Sequence, residues 1–170
     1  MYTTIEQLMQ AMGRFELAQL LADEEQLISV ELLTDAVIGD SSALDVYSDA
    51  ERDAVAAALS RVETAITEQS DLMDGYLARR YRLPLTEDEL ASATQLRSCC
   101  NALARMALAD DATNSTDRMI AERKYWDGWL KQVAEGKTLL PGITATSAGS
   151  GQNQRCHTAQ PSSAINWDRY

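Results

Sequence analysis

The chain has 170 residues, 45% of them hydrophobic, and a formal net charge of −11 from 15 basic and 26 acidic side chains. That length fits one domain with some appended chain, and a composition of many Ala, Leu, Glu and Asp with a single Phe favours helices over strands. The charge argues against gripping phosphate backbones, which takes massed Lys and Arg, and three Cys with one His do not make a disulfide framework. Glu6 interrupts the N-terminal stretch, so no signal peptide is expected, and no apolar run nears the ~20 residues that span a bilayer. A reducing cytoplasm is the expected compartment. The acidity is uneven: residues 1–53 net −10, residues 54–140 net −2, and residues from 141 onward net +1.

In chain order, Thr3 with Glu6 forms a capping box, followed by Ile5, Leu8, Met9 and Met12 at helical spacing, with Gly13 as the stop. Phe15, Leu17, Leu20 and Leu21 predict a short second helix. Residues 23–47 mix Leu27, Ile28, Leu32, Leu33, Val37 and Ile38 with acids and turn formers; a helix, a hairpin or an acidic insertion all fit. Ser48 with Glu51 starts a long amphipathic helix carrying Val55, Leu59, Val62, Ile66, Met73, Tyr76 and Leu77. It is expected to run to about Tyr81 and to be ended by Pro84, which disfavours helical geometry at Leu83. Thr86 with Glu89 opens a further helix, striped by Leu90, Ala93, Leu96, Cys100, Leu103 and Ala107, to about Ala109. Ser115 or Thr116 caps a last helix with Met119, Ile120, Trp126, Trp129, Leu130 and Val133, and Gly136 suits its left-handed C-terminus.

The expected architecture is therefore all-α: a small helical bundle with one long helix over 1–140, then an extended tail over 141–170. The stretch 142–164 is too poor in apolar groups to fold alone. It nevertheless leads to Ile165, Asn166, Trp167, Asp168, Arg169 and Tyr170. An aromatic tip on a polar tether reads as a docking peptide, since Trp and Tyr supply large contact area at low entropic cost. The plain alternative is a frayed terminus.

Groups that could carry chemistry have simpler readings. Cys99 and Cys100 diverge by ~100° on a helix and cannot share a metal; Cys100 falls on the apolar stripe as a core residue. Cys156 and His157 lack further ligands. Asp71/Asp74, Glu87/Glu89 and Asp110/Asp111 fall at caps, surfaces or a loop, and no phosphate-binding or nucleophile motif is present. No enzyme activity, cofactor or metal is expected. Arg79, Arg80 and Arg82 are a tight basic group near the end of the long helix, where cations offset the helix dipole. Contact with a neighbouring subunit or with DNA are the alternative readings.

From residue 65 to residue 136 the chain resembles the Mu-like prophage family of small neck proteins, a head–tail adaptor family. The resemblance is carried by Asp74, Tyr76, Leu77, Arg80, Tyr81, Leu83, Pro84 and Leu85, then Ala104-Arg105, then Ala134, Gly136, Lys137 and Leu140. Gly75 departs from it, standing where a more helix-favouring residue is usual, and the acidic 23–47 stretch looks like an insertion. The resemblance implies a structural virion protein of the neck, assembled in the host cytoplasm. Its subunits would form a homo-oligomeric, dodecameric ring beneath the portal protein, next to a stopper or tail-completion protein. DNA would pass through the channel without specific binding, and no membrane would be involved. A C-terminal extension binding the portal is also implied, which assigns that role to residues 165–170. The other functional class is a helical DNA-packaging or regulatory protein contacting nucleic acid through Arg79, Arg80 and Arg82.

Overall fold

The computed structural model describes residues 1–22, 27–39, 41–109 and 116–146, and these contain seven α-helices and one 3-10 segment, with no strand among them. Helix α1 spans Ile5–Met12 and α2 spans Arg14–Leu21. The first capping box sits one residue later than the sequence suggests. Thr4 Oγ1 accepts the Gln7 N–H at 3.2 Å, and the Gln7 side chain accepts the Thr4 N–H at 3.3 Å. Thr3 is turned inward, only 3% exposed. Gly13, at φ 94°, ends α1 and starts α2, a conformation that other residues rarely adopt.

The described part of the stretch whose form was open from sequence becomes a layer of the bundle. Helix α3 spans Val30–Ile38, capped by Ser29 Oγ on the Leu32 N–H at 3.0 Å, and a 3-10 turn follows over Ser41–Val46. Leu32 and Leu33 are fully buried, and α3 packs on α1, α2 and the long helix α4.

Helix α4 spans Asp49–Leu77, 29 residues, or ~43 Å at 1.5 Å per residue. Ser48 and Glu51 form its box, and their hydrogen bonds hold the Glu51 carboxyl below its usual pKa range. Val55, Val62, Ile66, Met73 and Leu77 line its buried side. The helix stops four residues short of Tyr81, and Pro84 is not its terminator. The N–H groups of Arg80 and Tyr81 both close onto the Leu77 carbonyl at 2.9 Å, forming a tightening turn.

One expected helix is two. Helix α5 spans Glu87–Ser92, boxed by Thr86 and Glu89, and α6 spans Thr94–Leu108. Fully buried Ala93, at φ −97° and ψ 60°, makes the break. Helix α7 spans Asp117–Glu135; Thr116 caps it, and Gly136 ends it at φ 75°. Helices α4, α6 and α7 pack on one another, with α6 facing both others. Leu96, Cys99, Cys100, Leu103 and Ala104 are buried as a result. Each fully buried Leu of this core contributes about 1.5–3 kcal/mol. Among the described residues, no helix is long and apolar enough to cross a membrane.

Candidate functional site

The motif residues around Arg80 and Tyr81 meet those around Gly136 and Leu140 where α4 and α7 both end. Beyond Leu77 the chain turns, which buries Tyr81 and leaves Arg80 half-buried. The Tyr81 hydroxyl accepts the Leu140 N–H at 3.1 Å. The Arg80 carbonyl accepts both the Thr146 N–H at 2.8 Å and the Thr146 hydroxyl at 3.0 Å. The Arg80 guanidinium lies against Gly136, where an added Cβ would collide with it. A cation at that place offsets the dipole of α7. Gly142, at φ 74°, passes so close to the Ser92 side chain that a Cβ would collide there too.

Together these contacts bind the segment 137–146 across the ends of α4 and α5. Leu140 is buried, and Ile143 and Ala145 pack against the core. Tyr76, Leu83 and Leu85 are half-buried against the core, Leu77 is fully buried, and Pro84 is exposed after a cis peptide bond. The motif is thus an anchor for the chain leaving α7. Residues 165–170, named as a docking peptide, lie outside the described residues, as do Cys156, His157, Asp110 and Asp111.

The basic group divides. Arg79 and Arg82 are exposed, while Arg80 is taken up by the anchor. The acid pairs divide as well: Asp74 accepts a hydrogen bond from the Tyr2 hydroxyl, Glu89 closes a capping box, and Asp71 stays exposed. Burial, reinforced by Asp74, pushes the Tyr2 phenol well above its usual pKa. Burial likewise raises both thiols, Cys99 and Cys100, and Cys100 contacts Ser70 at 3.7 Å. Among the described residues no group of His, Cys, Asp and Glu could hold a metal ion.

Sequence reasoning noticed Ala104-Arg105 without finding its work. Ala104 is fully buried, and Arg105 reaches Glu16 of α2 and, at 3.5 Å, Glu122 of α7. One guanidinium on α6 therefore ties three helices. Thr146 was missed altogether, and nothing in the polar composition around it marks it out.

Residues 2–157 match the family described as Bacteriophage Mu, Gp36. Gene product J of Escherichia phage Mu is 34% identical over 92 residues, covering 54% of this chain and 60% of that protein. The aligned stretch thus spans under two thirds of that relative's length. No solved structure matches. Matched over nearly its whole length, this all-helical chain belongs to the Bacteriophage Mu Gp36 family.

Proposed function

We propose that this chain is a structural, non-enzymatic virion protein: a head–tail connector subunit that forms a dodecameric ring between the portal and the tail or stopper. The helical core sets the subunit's shape, and DNA passes through the ring without specific binding. Family membership supports a role in phage structure or morphogenesis. The observation that carries the finer reading is the anchor at Arg80, Tyr81 and Gly136. It holds the chain through Thr146 on the core, so that the residues beyond depart from a fixed point. Ile165, Trp167 and Tyr170 would then dock on the portal, with each docked copy raising the effective concentration of its neighbours' tails.

Co-purification with the portal protein tests this. Full-length chain is expected to be retained, and chain stopped at Ala164 to be lost; equal retention of both removes the docking role. The nucleic-acid reading through Arg79, Arg80 and Arg82 is weakened because Arg80 is engaged inside the fold. It predicts salt-sensitive DNA binding, and a low-salt mobility assay without a shift disposes of it.

A further inference from the structure

Helices α1 and α2 leave an open groove against the start of α7. Its floor is apolar: Met119 is buried, and Met12 and Leu20 are half-buried. Phe15, the single Phe of the chain, forms one wall and stands 77% exposed. The groove encloses about 810 Å³, within the ~300–1,000 Å³ of sites that take a small ligand. Two of its floor residues are Met, whose thioethers adapt to irregular partners and contact aromatic rings favourably. The rim carries both signs, Arg14 and Arg105 with Glu16, so charge selects no partner there. Apolar and aromatic content does.

The chain itself supplies such a partner, and its length brings it there. The described chain leaves the core at Thr146, which bonds the Arg80 carbonyl while the Arg80 guanidinium lies against Gly136 at the end of α7. The groove lies at the other end of the same helix. From Met119 to Gly136 the helix advances about 26 Å at 1.5 Å per residue. A Gly- and Ser-rich chain as long as 147–164 has a root-mean-square span of about 21–25 Å. Ile165, Trp167 and Tyr170 come directly after that length. A tether whose span matches the distance between two sites gives its highest effective concentration there. Trp and Tyr also supply large contact area for few frozen torsions.

We infer that, in the free subunit, the tip formed by residues 165–170 lies in the α2–α7 groove of its own chain, with Trp167 against Phe15 and the Met floor. This parking needs neither ring nor portal. Its consequence rests on the connector reading: the portal has to draw the tip out of the groove, so the docking residues are covered until a portal is present.

The test uses full-length chain in a Cys156→Ser background, in which Cys99 and Cys100 stay buried. Gln19→Cys puts a thiol on the exposed rim of the groove, and Arg169→Cys puts one in the tip while keeping Trp167 and Tyr170. Oxidation of this pair is expected to close a disulfide within one chain, independently of protein concentration and at least about tenfold faster than Leu139→Cys with Arg169→Cys. Leu139 is 66% exposed beside the place where the tail leaves, so an undocked tip meets it at least as often as Gln19. Trp167→Ser and Phe15→Ser, each keeping the wild-type circular dichroism spectrum, are expected to abolish the preference. Equal rates for the two pairs, or a preference that survives both substitutions, overturn the parking. Cross-links that form only between chains and rise with concentration overturn it in favour of a second copy as occupant. Purified portal protein is expected to slow closure of the Gln19 pair about tenfold by competing for the tip. Unchanged closure with portal bound overturns the competition. A portal that retains no wild-type chain overturns the connector reading, while the cross-links alone decide the parking.

Discussion

Tyr81 shows how one hydroxyl can hold a segment that has no regular structure. Its oxygen is the acceptor for the buried Leu140 N–H, so Tyr81→Phe leaves that donor without a partner. The expected loss is about 1–3 kcal/mol in chemical denaturation; an unchanged midpoint would show that water substitutes freely. Gly136→Ala meets two obstacles, a left-handed backbone and the Arg80 guanidinium, and is expected to cost of order 1–3 kcal/mol. In an Arg80→Ala background only the first remains, so a double-mutant cycle should return a coupling between the two positions. Tyr2 gives a pH dependence. Its phenol is raised by burial and then by Asp74, so the stability it contributes is fully present below the unfolded value near 10 and is lost as pH rises above it. The urea midpoint should therefore fall between about pH 7 and about pH 10.5, and fall less in Tyr2→Phe. The raised thiols of Cys99 and Cys100 act in the same direction.

At the scale of elements, caps were legible and breaks were not. Ser48 with Glu51 and Thr86 with Glu89 stand where the pattern places them, because each side chain has one neighbouring N–H to serve. The first box slipped because Thr3 and Thr4 both have an acceptor three residues on, and only burial of Thr3 decides between them. Nothing local foretells the break at Ala93, a residue with high helix propensity. Its full burial and the passage of Gly142 over Ser92 are tertiary facts. Helix α3 was hidden for a related reason: its Leu32 and Leu33 match the pattern of several elements until their partners in α2 and α4 are known. Phe15, counted with the apolar residues of α2, is 77% exposed, and Ile120 of α7 is 48% exposed. Gly75 in α4 and Gly128 in α7 each have open space where a Cβ would stand, which makes a prediction at this scale. In dilute protein, Gly75→Ala and Gly128→Ala are each expected to stabilise the subunit by about 0.5–1 kcal/mol, read as a raised thermal midpoint. A lowered midpoint would mean that the bare backbone serves the isolated subunit.

On the scale of the whole molecule, the all-α class and the phage family were readable because helical periodicity and the motif around Arg80 are local in sequence. The ties between distant parts were not. Arg105 meets Glu16 across 89 positions, and Tyr2 meets Asp74 across 72. Arg105→Met leaves Glu16 and Glu122 without their shared cation. A loss of about 1–3 kcal/mol is expected, with faster hydrogen exchange in α2 before α4 or α6 is affected. Uniform acceleration in all three helices would argue that the tie is not specific to α2. The docking tip was readable only as composition, and it lies outside the described residues.

Tyr2 bonds Asp74 near the end of α4, and Thr146 bonds Arg80 just beyond that end. The described chain therefore starts and finishes within about two helical turns of one place. In terms of connectivity the bundle is nearly a closed loop, so a short linker joining residues 146 and 2 should be tolerated in a circular permutant. At that one end, anything grasped by the departing tail also pulls beside the residue that seats the first helix.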